Sequence, residues 1–192
     1  MLCDAALTAF ACHLTSGSVC YYLDSQIVDN THNLIDSWHW ASTGRTILRN
    51  LKDRQVLALP YNAPRAHWWM VFARLERDGT TVLMTQRNSH SGWDMDANNS
   101  VRRTFTLLQK LVEKYGNNIG EEHGPEIQWT VNLTCKILPA VDTTQQKGGT
   151  LSCGLHCYAH IELAVRGRLF ENRRTVHESF IENKRDLSLI HI

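Results

Sequence analysis

A cysteine attacks carbonyl groups as its thiolate, and the pKa of a free thiol, about 8.5, falls beside a histidinium or at the positive end of a helix dipole. Cys153 opens the segment CGLHCYAHIELAVRG, whose apolar spacing predicts a helix from Cys153 to Arg166 that stops at Gly167. The thiol is therefore expected at a helix N-terminus. Gly154 allows close backbone approach beside it, and the free N–H groups of such a first turn suit a developing oxyanion. Gln145 and Gln146, just upstream, carry amides fit for the same task. Far upstream, His67 precedes Trp68 and Trp69, which give an imidazole a rigid platform and aromatic walls for a narrow slot. The chemistry implied is a thiol nucleophile, Cys153, with a histidine base, His67, and it calls for no metal or organic cofactor.

These residues must be positioned by elements the sequence also outlines. QVLALPYN, HWWMVFARLE and TTVLMTQ are short, rich in β-branched and aromatic residues and separated by turn chemistry, so they predict strands. Asp78-Gly79 between the last two is a hairpin signal, and His67 falls at or near the start of a strand. EIQWTVNL and CKILPAV read as further strands. Helical spacing marks residues 24–38, with Asp24 and Ser25 as possible N-caps, and a shorter stripe over 42–52. From Val101 to Gly116, the residues Phe105, Leu108, Leu111, Val112 and Tyr115 share one helical face that ends at a glycine. Helices, then strands, then a helix is an α+β order, with no alternating βαβ units.

Composition narrows the class. With 192 residues, 43% hydrophobic and 20% charged, the chain suits one globular domain, expected over 7–186. A net charge of +1 without a basic stripe argues against nucleic acid as partner. No run approaches the ~20 apolar residues of a membrane span, and the N-terminus lacks a basic leader. An intracellular monomer in nucleus or cytoplasm is the expectation. Cys3, Cys12, Cys20, Cys135, Cys153 and Cys157 then read as thiols. The last residues, 187–192 (LSLIHI), resemble a translated sequencing adapter and are set apart from the domain.

The order His67-Trp68, then Gln146, then Cys153-Gly154 resembles the ubiquitin-like-protein-specific cysteine proteases, the group of the SUMO proteases and, more distantly, the adenovirus protease. Papain-like enzymes place Cys before His. LTSGSVCYYLDSQIVDN and VLALPYN are also similar to the family's opening segment and to the stretch before its histidine, so the likeness spans roughly residues 10 to 168. The resemblance implies a central mixed sheet flanked by helices, with the nucleophile at the start of a central helix. It implies that His67 is the general base, Cys153 the nucleophile and Gln146 the oxyanion donor, with Trp68 and Tyr22 lining a channel for a diglycine tail. The implied partner is a ubiquitin-like modifier (SUMO, NEDD8 or ubiquitin) or its conjugates, cleaved at a peptide or isopeptide bond after that tail.

The third triad member departs from the pattern. The alignment of TTVLMTQR puts Gln86 where the family carries an Asp, with Asn88 two residues on; Asp94, the nearest downstream acid, would need a loop rearrangement to serve. A neutral amide can fix the imidazole tautomer but stabilises an imidazolium less than a carboxylate does. Ser152 likewise replaces the Asp that usually precedes the family's Cys. Two alternatives follow, an inactive module that binds a ubiquitin-like protein and a Cys/His acyltransferase. Cys153, Cys157 and His160 at i, i+4 and i+7 offer a third, a zinc site.

Overall fold

The computed structural model describes residues 4–25, 41–63, 66–118, 129, 131–138 and 153–170. The segments on either side of Asp78-Gly79 form the expected hairpin, β3 (His67–Leu75) and β4 (Thr81–Arg87). Gly79 takes φ +73°, which a side chain would resist. The Asp78 carboxylate closes the turn by accepting from the N–H groups of Thr80 and Thr81 at 2.9 and 2.8 Å. QVLALPYN becomes β2 (Val56–Ala63), antiparallel to β3 and placing Ala63 opposite His67.

Two short strands complete a five-stranded sheet in the order β1-β2-β3-β4-β5. β1 (Cys20–Tyr22) runs parallel to β2, and β5 (Thr134–Ile137) runs parallel to β4. β5 occupies the start of the expected CKILPAV strand. EIQWTVNL forms no strand at its described residues, Trp129 and 131–133. The central strand β3 is buried on both faces, which accounts for its continuous apolar run.

The period-2 alternation of β3 sorts its side chains between two layers. Trp69, Val71, Ala73 and Leu75 join a core with Ile47, Leu48 and Leu51 of helix α2 (Ala41–Lys52) and Leu108 and Leu111 of helix α3 (Asp94–Tyr115). Trp68, Met70 and Phe72 face Leu7 and Ala11 of helix α1 (Asp4–Thr15) and Cys153, Cys157 and Ile161 of helix α4 (Cys153–Val165). The result is the expected α+β architecture, a mixed sheet with helices on both faces. The helix expected over 24–38 and the set-apart tail 187–192 fall, beyond Asp24 and Ser25, outside the described residues.

Helix α3 begins at Asp94, seven residues before the expected start, because its first turns carry no apolar stripe: Met95 is exposed, and the buried positions are Ala97 and small polar residues. Ser100 and Thr104 are buried, and their hydroxyls bond back to the carbonyls of Asp96 and Ser100. They also take the polar ends of the sheet's aromatics, Trp69 Nε1 on Ser100 Oγ at 3.1 Å and Tyr61 OH with Thr104 Oγ1 at 2.8 Å. Helix α4 ends as its sequence suggested. Gly167 takes φ +67°, Arg168 N–H donates to Leu163 O and Gly167 N–H to Ala164 O, the two bonds of a Schellman cap.

Candidate active site

His67 is the first residue of β3, and its side chain is 2% exposed. The antiparallel register puts Gln86 opposite Val71, four residues from His67, or about 13 Å at ~3.3 Å per residue. A glutamine side chain cannot span that distance. Gln86 instead turns to α3, where its Nε2 donates to Asn98 Oδ1 at 3.0 Å. The place expected for Gln86 is taken by Asn88, two residues further along the same face and just past the end of β4. His67 Nε2 and Asn88 Oδ1 lie 2.7 Å apart.

The surroundings of Asn88 determine which way its amide points. Its Nδ2 donates to His90 O at 2.7 Å and to Asp94 Oδ1 at 2.8 Å. Its Oδ1 also accepts from His90 N–H at 3.2 Å. The amide nitrogen is thus committed to two oxygens, and the oxygen faces His67. The hydrogen bond to His67 then requires Nε2–H as donor, which leaves the Nδ1 lone pair of the neutral ring as the basic position. Asp94, expected to need a rearranged loop, already sits one hydrogen bond behind the amide.

Aromatic rings enclose the imidazole. Trp69 and Trp93 stack with it at centroid distances of 6.1 and 6.2 Å, and with each other at 6.3 Å. His90 meets it edge-on at 5.7 Å. Burial pushes the His67 pKa below the ordinary histidine value, the Asn88 hydrogen bond pulls it back up, and His90 pushes it down. His90 itself caps the short 3-10 turn Ser91–Trp93, its Nδ1 accepting from Gly92 N–H at 3.0 Å.

On the opposite face of β3, Trp68 shares one buried cluster with Tyr22 and Cys153. The structure thus gathers the expected nucleophile and both expected channel residues, with Trp68 adjacent in sequence to His67. Cys153 begins α4 as expected and is 1% exposed, with Gly154 buried beside it. Among the described residues no hydrogen bond joins the Cys153 thiol to the His67 ring; such pairs often tighten only around substrate. Gln145 and Gln146 lie outside the described residues. Cys12, Cys20, Cys135, Cys153 and Cys157 are free thiols. Burial and the neighbouring Cys153 push the Cys157 pKa well up, which fits a small apolar packing residue. The described residues contain no group of three His, Cys, Asp or Glu side chains arranged to hold a metal ion.

Sequence reasoning did not connect Trp93 or His90 with His67; Trp93 packs against the hydrophobic core and also stacks on the imidazole. The signal was present in the segment NSHSGWD, since a loop of Asn, Ser and Gly directly after the strand that pairs with β3 turns near the end of β3 that carries His67.

No family model and no curated protein matches this sequence. Solved structures do. The Xanthomonas campestris effector protein XopD bound to ubiquitin is similar at 18% identity and TM-score 0.53, over 95% of this chain and 88% of that one. The SUMO protease Ulp1, with its catalytic cysteine oxidised to a sulfonic acid, is similar at 15% identity and TM-score 0.55, over 93% of this chain and 72% of that one. At such identities the shared property is the fold. The chain has the α+β fold of the XopD and Ulp1 ubiquitin-like-protein proteases.

Proposed function

We propose that this chain is a thiol protease that cleaves a peptide or isopeptide bond after the diglycine tail of a ubiquitin-like modifier. The observation that carries the reading is the orientation of Asn88, which presents an acceptor to His67 Nε2 and leaves Nδ1 to act as the base. A base with a fixed tautomer is what a cysteine nucleophile needs.

In this mechanism His67 Nδ1 takes the proton from Cys153 Sγ, helped by the N-terminal dipole of α4. The thiolate attacks the carbonyl carbon of the terminal glycine. Backbone N–H groups at the start of α4 and the Gln146 amide hold the oxyanion. As the C–N bond breaks, the His67 imidazolium returns its proton to the leaving amine. Water, deprotonated by His67, then attacks the thioester, and the Cys153 thiol and the free carboxylate are restored. Trp68 and Tyr22, clustered with Cys153, line the channel, which admits a tail without side chains. The fold shared with XopD and Ulp1 supports a ubiquitin-like protein as partner.

The test is labelling of the purified chain with C-terminal vinyl-sulfone or propargyl probes of SUMO, ubiquitin and NEDD8, beside Cys153→Ala and His67→Ala. Adduct formation on Cys153 that disappears in both variants is expected and names the modifier. Binding of a modifier without adduct would replace this reading with the binding module. Acylation of Cys153 by a thioester acyl donor, with no probe adduct, would replace it with the acyltransferase.

A further inference from the structure

We propose that Asp94 is a positioning residue of the His67 site, its carboxylate acting through the Asn88 amide to supply the negative charge that the amide itself lacks. The inference rests on the reading of His67 as the base and adds a fourth member to its hydrogen-bonded chain. Asn88 Nδ2 donates to Asp94 Oδ1 at 2.8 Å while Asn88 Oδ1 faces His67 Nε2 at 2.7 Å. A hydrogen bond to a carboxylate is stronger than one between neutral groups, and it polarises the amide so that its oxygen becomes more negative. An imidazolium forming at His67 therefore meets a better acceptor than an isolated asparagine provides.

The loop that carries Asp94 is tied around the same amide. His90 O accepts from both Asn88 Nδ2 and Trp93 N–H, the latter at 3.0 Å, so the 3-10 turn hands the chain directly into α3. Asp94 opens that helix, where a negative charge also complements the helix dipole. Asp96 lies in the same first turn and no described hydrogen bond joins it to Asn88, which makes it the control for the dipole effect alone. The titratable groups around His67 are His90 beside its ring and Asp94 behind Asn88. Of these only Asp94 brings negative charge to the Nε2 side.

The experiment is an NMR titration of His67 in the full chain and in Asp94→Asn and Asp96→Asn, with the resonance assigned by its loss in His67→Gln. Asp94→Asn keeps an acceptor for Asn88 and removes only the charge, so the imidazolium loses stabilisation. The His67 pKa is expected to fall by about 0.5 pH unit in Asp94→Asn and by less than about 0.2 in Asp96→Asn. The acid limb of the kcat/KM profile, set by protonation of the base, should move the same way.

A charge swap separates relay from scaffold. Asn88→Asp alone sets two carboxylates against each other, and adding Asp94→Asn restores a donor between them. The double variant is expected to exceed Asn88→Asp in kcat/KM by about threefold or more. Equal shifts in Asp94→Asn and Asp96→Asn, or no shift in either, would overturn the relay. If the parent chain labels with no probe, the protease reading fails, while the titration still decides the Asp94 relay.

Discussion

On the face of the sheet covered by α2 and α3, buried polar groups around His67 are bonded to one another: Trp69 to Ser100, Tyr61 to Thr104, and Asn88 to His67, His90 and Asp94. On the face covered by α1 and α4, His160 is 2% exposed, and neither of its ring nitrogens has a hydrogen-bond partner among the described residues. Nearby Arg87, 4% exposed, donates from Nη2 to Leu169 O while its Nε has no such partner. A satisfied network has one low-energy arrangement and can hold an imidazole in a single tautomer; an unsatisfied group contributes a desolvation cost. The network on the first face should therefore fix the histidine of the site, while His160 and Arg87 on the second should weigh on stability and leave activity unchanged.

The sharpest way to break this contrast is at the site. Asn88→Ala removes the acceptor that fixes the His67 tautomer and should lower kcat/KM by about 100-fold. Gln86→Ala, which loses only a bond to Asn98, should stay within about threefold of the parent. Comparable losses in the two would restore Gln86 as the third member and dissolve the distinction drawn from the strand register. A smaller effect is expected at Ser100→Ala, which leaves the buried Trp69 Nε1–H without its acceptor and should destabilise the fold by about 1–2 kcal/mol in urea denaturation.

The smallest effect belongs to the other face. His160→Leu replaces an unpaired imidazole with an apolar group and should leave stability unchanged or raise it by up to about 1 kcal/mol, with activity retained. Burial, with the charges of Arg87 and His156, holds the His160 pKa well below the ordinary value. The unfolded chain therefore binds a proton that the folded one refuses. The stability associated with neutral His160 is full above about pH 6.5, the unfolded value, and is lost as the pH falls towards the folded one. In denaturation at a series of pH values, the variant should show a shallower loss below about pH 6.5; an unchanged slope would mean that His160 is not the group responsible.

The outline of this molecule was legible where one physical rule dominates. Period-2 segments with Asp78-Gly79 between them gave the central hairpin, and the stripe ending at Gly167 gave α4 with Cys153 at its start. The early turns of α3 were not legible, because they are buried through Ser100 and Thr104, which hydropathy reads as exposed. The third site residue was misplaced for a different reason. Gln86 and Asn88 share one face of the strand, so alternation admits both, and only the register, with Val71 opposite Gln86, excludes the first. Asp94 was expected to need a rearranged loop because the turn that brings it back depends on the bonds of Trp93 N–H to His90 O and of Gly92 N–H to His90 Nδ1.

The most direct test of the central claim is the pH dependence of Cys153 alkylation by iodoacetamide, followed on the Cys153 peptide by mass spectrometry in the parent, His67→Ala and Asn88→Ala. A Cys153 activated by His67 should be alkylated readily at neutral pH in the parent, and that reactivity should disappear in His67→Ala and diminish in Asn88→Ala. A Cys153 that reacts with the same pH profile in all three proteins would contradict the assignment of Cys153 and His67 as a working pair.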